Sequence, residues 1–124
     1  MEDQILEFNE NWNGKLNCKA FTTLRLRNDR KFYKGARFQV YLKKVYKGTA
    51  TVKSVSILTL DRINDFIAWL DTGYSAEECR DIILTMYKGR GLFTKENEKR
   101  QELSFVLLVY EAKKEMNDLF DTNK

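Results

Sequence analysis

The residues best suited to chemistry lie in one short segment, Lys19 to Arg27, where lysine, threonine and arginine alternate with apolar side chains. This composition predicts a β-strand, in which successive side chains point to opposite faces. Two leucines would face a core, while Thr23, Arg25 and Arg27 would form a row on the other face. Guanidinium groups beside a hydroxyl match phosphate oxygens or the polar edge of a base. The segment is therefore a candidate ligand-binding strand, with a solvated strand face as the alternative.

The basic residues are concentrated in one third of the chain. The 124 residues carry a net charge of +4, but Lys15 to Lys53 hold twelve lysines and arginines against one acidic residue, Asp29, which gives +11. The remainder holds ten basic against seventeen acidic residues, which gives −7. Because a local basic field attracts and steers polyanions, this asymmetry favours binding of nucleic acid or a phosphorylated ligand.

Composition excludes several kinds of site. The chain has no histidine and only two cysteines, Cys18 and Cys79. A structural zinc site needs four such ligands, so we expect neither a metal nor another cofactor. Proton transfer in any enzymatic reaction would fall to carboxylate, lysine, tyrosine or cysteine groups.

Length and apolar content predict one globular domain. No apolar run approaches the ~20 residues of a membrane helix, and the first residues lack a signal-peptide pattern. Two cysteines are too few for a disulfide scaffold. We therefore expect a cytoplasmic protein in a reducing compartment, without a membrane partner.

Hydrophobic periodicity and turn residues predict the elements around the basic strand. In chain order they are a helix over 3–13, the basic strand, a turn at Asn28-Asp29, a strand over 37–46, a turn at Lys47-Gly48, a strand over 49–58, helices over 61–71 and 75–88, a loop over 88–100, and a buried apolar strand over 103–110.

Three local signals refine this order. The strand over 49–58 keeps its apolar alternation only with a β-bulge between Val52 and Val55. Ser75 and Glu78 form a capping box for the last helix, which would bury Cys79 in the core. The helix before it has an apolar stripe at Ile63, Phe66, Ile67 and Leu70.

These features together make the chain similar to the ASCH domains of the PUA-like superfamily. The motifs that carry the resemblance span residues 5–111, in the order Lys19-x-x-Thr22-Thr23-x-Arg25, Tyr33-Lys-Gly35-x-x-x-x-Val40, Gly48-Thr-Ala-Thr-Val-Lys-Ser-Val55, Leu58-Thr-Leu-Asp61 and Phe105-Val-Leu-Leu-Val-Tyr-Glu111.

The resemblance implies an α+β fold, a small PUA-like mixed β-barrel flanked by helices, with a cleft on one side and a charged tail over 112–124. It also implies RNA-linked roles, since related domains bind structured or modified RNA. One branch of similar size comprises N4-acetylcytidine amidohydrolases. Those enzymes use a lysine and a threonine of the basic strand and a glutamate before the second helix.

Carried over residue by residue, the resemblance assigns the lysine to Lys19 and places the glutamate position near Thr72, beside Asp71. The threonine is Thr22 if the Lys-x-x-Thr spacing is kept, and Thr23 if Thr-x-Arg is kept. Because one step along a strand reverses the side chain, the two alternatives are structurally distinct.

The first hypothesis for the function is an RNA- or nucleotide-binding domain with a basic cleft. In it a row of cations would hold phosphates and exposed tyrosines would stack on a base. The residues assigned to this role are Lys19, Arg25, Arg27, Lys31, Tyr33 and Tyr74.

The alternative is a small amidohydrolase that acts on an N4-acylated cytidine, a modified nucleoside. Lys19 would activate a threonine nucleophile, Thr22 or Thr23, or stabilise the oxyanion, and Asp71 would act as base on that nucleophile or on a water molecule. A further alternative is a protein-interaction domain whose basic face meets an acidic partner.

Overall fold

The computed structural model describes residues 3–88 and 100–112, which have an α+β architecture built on one sheet. In chain order the elements are β1 (Gln4–Phe8), a first 3-10 helix (Trp12–Asn17), β2 (Ala20–Leu26), β3 (Arg37–Leu42), β4 (Val45–Thr59), a second 3-10 helix (Leu60–Arg62), α1 (Asp65–Asp71), α2 (Ala76–Lys88) and β5 (Glu102–Tyr110).

The five strands lie in the order β1-β3-β4-β5-β2 and curl into a half-barrel. β1 pairs with β3 in parallel, and the other pairs are antiparallel. The apolar strand expected over 103–110 is β5, which lies between β4 and β2. The mixed α+β class and the barrel-like sheet are therefore confirmed. β1 and β2 are the two edges of the sheet, and the gap between them is called the seam below.

Two apolar clusters stabilise this arrangement, one on each face of the sheet. The first fills the inside of the curl, and its largest buried side chains include Leu6, Phe21, Phe38, Val40 and Leu108. The second lies between β2, β5 and the helices, and includes Leu24, Ile63, Cys79, Ile83 and Leu103. Because β2 contributes to both clusters, its two faces are both covered, and this strand is held firmly at the seam.

The helix predicted over 3–13 is wrong. Residues 4–8 form β1, and a short 3-10 helix follows it. Leu6 and Phe8 are buried two residues apart, which is strand spacing, whereas Ile5 is 54% exposed. Pairing with β3 therefore overrides the apolar spacing of Ile5, Phe8 and Trp12 that favoured a helix.

The turn predicted at Lys47-Gly48 is also wrong. The chain reverses at Lys43-Lys44, and Gly48 lies inside β4. Gly48 has φ +146°, and a Cβ there would lie 3.0 Å from the ring of Tyr110. The glycine is thus explained by a close approach within the sheet. The expected bulge is confirmed, because the β4–β5 register shifts between Val52 and Ser54.

Both helices expected after β4 are present. At the start of α2 the Glu78 N–H donates to the Ser75 hydroxyl at 3.3 Å and the Ser75 N–H donates to the Glu78 carboxylate at 3.4 Å, which are the reciprocal contacts of the predicted capping box. Cys79 is fully buried. The stripe predicted on α1 is only half correct, because Phe66 and Leu70 are exposed to 69% and 44%.

Residues 89–99 of the predicted loop and 113–124 of the predicted tail lie outside the described residues. Within the described ranges, no helix has the length and apolar character needed to cross a membrane.

Candidate functional site

A cavity of about 380 Å³ opens at the seam, between the end of β1, β2 and the inner side of α2. Its lining includes Trp12, Arg25, Asp71 and Tyr87. Ligand-binding cavities in proteins occupy about 300–1,000 Å³, so this one has room for a small ligand. We call it the seam cleft.

A buried ion pair forms the floor of the seam cleft. Lys15 Nζ donates to Asp71 Oδ1 at 3.0 Å, and the two side chains are only 5% and 8% exposed. The Thr22 hydroxyl donates to the same oxygen at 3.1 Å. The second carboxylate oxygen, Oδ2, accepts no hydrogen bond from the described residues. Since Asp71 lines the cavity, this oxygen remains for a ligand or a water molecule.

Local turn chemistry brings Lys15 to Asp71. Asn13 and Gly14 both have positive φ values, 59° and 63°, which bend the chain inside the first 3-10 helix. The Asn13 amide donates to the carbonyl of Trp69 at 3.0 Å, which docks this bend on the end of α1. Lys15 follows the bend directly, and Asp71 is the last residue of α1.

Burial controls the electrostatics of this floor. It lowers the pKa of Lys15 below the ordinary lysine value, although Asp71 opposes the change, and Arg25 lowers the pKa further. Burial also raises the pKa of Cys79 to about 11, and the Asp71 carboxylate adds to this rise. Perturbed groups in a cleft are typical of functional sites, and they also occur in structural ion pairs.

Arg25 ties the two edges of the sheet together. Its Nε donates to the Thr23 hydroxyl at 2.9 Å, and its Nη2 donates to the carbonyl of Glu7 at 2.9 Å. The guanidinium lies 4.6 Å from the centroid of the Phe8 ring. Partial burial lowers the pKa of Lys31, and the nearby charge of Arg25 contributes. The lining of the seam cleft therefore carries charges of both signs, with Lys15 and Arg25 beside Glu7, Glu10 and Asp71.

The backbone of β2 offers two further polar groups. The Arg27 N–H donates to Glu102 and the Tyr110 N–H donates to Lys19, so odd-numbered residues of β2 bond to β5. In such a pair the even-numbered residues direct N–H and C=O the other way. Leu24 is even-numbered and lines the cavity. Because β2 has no strand partner on its seam side within the described residues, Leu24 presents a donor and an acceptor there.

The structure brings together three of the four residues assigned to catalysis. Thr22 binds Asp71, and Thr23 lines the seam cleft on the opposite face of β2. Lys19 is exposed at the start of β2, and Lys15 is the lysine that contacts Asp71. No periodic signal marked Lys15, although the turn residues Asn13-Gly14 directly before it were visible in the sequence.

The residues assigned to nucleic-acid binding are divided between places. Arg25 lines the seam cleft, and the ring of Tyr74 makes an edge contact with Trp12 at its rim, 5.9 Å between centroids. Lys31 lies over the Phe32 ring at 5.5 Å, and Tyr33 is exposed.

Arg27 occupies a different surface. It donates to both carboxylate oxygens of Asp29 and of Glu102. These contacts border a wide, open depression that also includes Arg30 and Arg100. Charges of both signs alternate there, so this surface lacks the uniform positive field that the row of arginines predicted.

No family model, curated protein or solved structure matches this chain. Within the described residues, no three histidine, cysteine, aspartate or glutamate side chains gather as metal ligands would.

Proposed function

We propose that this protein is an RNA- or nucleotide-binding domain whose seam cleft receives one nucleobase. The observation that supports this most directly is the Asp71 carboxylate, which lines the cavity, is fixed through Oδ1 by Lys15 and Thr22, and has an Oδ2 that accepts no hydrogen bond from the described residues. A fixed acceptor in a small cavity suits an amino or imino N–H of a base. Its orientation is set before the ligand arrives, which reduces the entropy lost on binding.

The remaining groups of the seam cleft match the other parts of a nucleotide. The backbone N–H and C=O of Leu24 offer a donor and an acceptor for a base edge. The rings of Trp12 and Tyr87 line the cavity and can stack on a base, a contact worth about 1–3 kcal/mol. Arg25 lines the cavity and supplies positive charge for a phosphate, and the charge of Lys31 lies close enough to interact with it.

The overall architecture fits the family proposed from sequence. A curled sheet with helices on one face and a cleft at its edge is compatible with a PUA-like ASCH domain. The proposal includes a cytoplasmic location, which a content of only two cysteines supports.

A ligand series tests this function without altering the cleft. The chain has two tryptophans, Trp12 and Trp69, so Trp69→Phe leaves a reporter in the cleft lining. We expect cytidine 5′-monophosphate to change the Trp12 fluorescence saturably. N4,N4-dimethylcytidine 5′-monophosphate has no N–H for Asp71 Oδ2, and should bind at least ~10-fold more weakly. Equal affinity for the two ligands would contradict the role of Asp71.

A second function, hydrolysis of an N4-acylated cytidine, is favoured by the Asp71 carboxylate, which lines the cavity and is a group that can act as a general base. Because Asp71 lines the cavity and Thr22 lies beneath it, we propose a water molecule as the nucleophile. Asp71 would accept a proton as the water oxygen bonds to the acyl carbon. The C–N bond would then break, the proton would pass to N4, and cytidine and a carboxylic acid would leave.

Incubation with N4-acetylcytidine followed by chromatography tests the hydrolysis. Asp71→Asn should abolish it, because the amide cannot accept the proton. Lys19→Ala should retain the full rate, since Lys15 and not Lys19 contacts Asp71. Absence of cytidine in the wild-type reaction would leave binding as the function of the cleft.

A further inference from the structure

The hairpin between β3 and β4 has an unusual turn. Leu42 pairs with Val45, so the loop consists of Lys43 and Lys44 alone. Both lysines have positive φ values, 49° and 68°. Such two-residue turns strongly prefer Asn-Gly, because residues with a Cβ are disfavoured in this conformation. Lys43 and Lys44 are therefore poorly suited to the backbone conformation of this turn, which points to a role other than folding.

The turn is attached to the end of the seam. The Lys43 N–H donates to the carbonyl of Phe8 at 2.9 Å, and Phe8 lines the seam cleft. The lysine tip therefore extends the surface of the cleft beyond β1. A chain that places one nucleotide in the cleft could continue over this tip.

The side chains of the hairpin suit single-stranded nucleic acid. Lys43 and Lys44 are exposed and form no ion pair with any described residue, in contrast to Arg27 and Arg37. Tyr46 follows Lys44 by two residues; its ring is 53% exposed and contacts the ring of Tyr41, with 5.6 Å between centroids. Free ammonium groups beside a fixed aromatic ring are what a phosphate backbone and a stacked base require.

We propose that this hairpin is a second RNA-contacting element, in which Lys43 and Lys44 bind phosphates of the nucleotides that flank the one in the seam cleft, and Tyr46 stacks on a neighbouring base. The proposal rests on the proposed function, because it takes the cleft ligand to be part of an RNA chain.

One double substitution separates this role from folding. Lys43→Asn with Lys44→Gly supplies the residues that the turn prefers and removes both charges. Thermal unfolding should therefore shift upwards by several degrees, while the affinity for a short fluorescent oligocytidylate falls by about 5- to 10-fold. The slope of log affinity against log salt should decrease by ~1.4.

The matched control is Lys34→Ser with Lys53→Ser, which removes two exposed charges from the same basic third of the chain at the far end of the hairpin. It should leave oligonucleotide affinity within about twofold of wild type. Both double variants should bind cytidine 5′-monophosphate as the wild type does, since the mononucleotide occupies only the cleft.

Unchanged oligonucleotide affinity in the turn variant would overturn the proposal, as would an equal loss in the control variant. Loss of binding to phosphatidylserine vesicles with oligonucleotide affinity unchanged would identify the tip as a membrane contact and overturn it as well. If the mononucleotide does not bind but the oligonucleotide still depends on the turn, the cleft function fails and the RNA contact of the hairpin stands.

Discussion

Two ion-paired regions of this protein, one buried and one exposed, have nearly equal contact distances. Lys15 and Asp71 lie 3.0 Å apart with both side chains buried, and Arg27 and Asp29 lie 2.9 Å apart with both exposed. In water the second contact is worth little, because solvent and salt screen it. In the first, either charge left alone would be buried without a partner.

The two regions also differ in what they leave for a ligand. Arg27 directs its guanidinium to two carboxylates, and these contacts raise its pKa and lower that of Asp29. Asp71 lines the cavity and accepts both of its hydrogen bonds through one oxygen, Oδ1. The guanidinium of Arg27 is therefore already bound to carboxylates of the protein, whereas the second oxygen of Asp71 accepts no hydrogen bond from the described residues.

The largest expected effect comes from removing one partner of the buried pair. Lys15→Ala leaves the Asp71 carboxylate without its cation, and should lower the free energy of unfolding by about 3–5 kcal/mol. Denaturant unfolding at neutral pH measures this value.

The control for that effect replaces both partners. Lys15→Met with Asp71→Leu removes the two charges together and should recover most of the lost stability. A single Lys15→Ala variant within about 1 kcal/mol of wild type would show that the pair is not isolated from solvent.

A smaller effect concerns alkaline pH and Cys79, which lies near the buried pair. The folded state holds the thiol proton up to a pKa of about 11, and the ordinary value is 9.0. The unfolded chain releases that proton first, so stability falls as pH rises from about 9 to about 11, by about 2–3 kcal/mol.

Comparing wild type with Cys79→Ala isolates the thiol. The lowered pKa of Lys15 acts with the opposite sign, since stability then rises with pH, but it is common to both proteins. The variant should have a shallower decline of unfolding free energy over this range. Parallel pH curves would mean that the thiol titrates normally.

The smallest effect is expected at the surface pair. Arg27→Gln removes a cation from two contacts that solvent screens, so the denaturation midpoint should not change measurably at physiological salt. A loss comparable to that of Lys15→Ala would reverse the comparison between the two regions.

The features that could be predicted from sequence are those with a local or strictly periodic cause. The capping box at Ser75, the buried Cys79 and the central strand β5 depend on nearby residues or on a continuous apolar run. The bulge in β4 could be predicted because the apolar alternation of this strand fails at one point, between Val52 and Val55.

The features that could not be predicted depend on distant partners. β1 is a strand because β3 lies beside it, although its apolar spacing favoured a helix. Lys15 reaches Asp71, 56 positions later, through a bend docked on α1. Arg27 is neutralised in part by Glu102, which is 75 positions away. Sequence singled out β2 and Asp71, which the structure places at the seam cleft, and tertiary contacts decide which cation contacts each carboxylate.

The most direct test of a nucleotide site in the seam cleft compares two arginines that lie two positions apart on β2. In the Trp69→Phe background, cytidine 5′-monophosphate is titrated against the parent, Arg25→Gln and Arg27→Gln, with thermal unfolding to verify that each is folded. We expect saturable binding by the parent, a loss of about tenfold or more in Arg25→Gln, and affinity within about twofold in Arg27→Gln. Equal losses in both variants, or no saturable binding by the parent, would contradict a nucleotide site in the seam cleft.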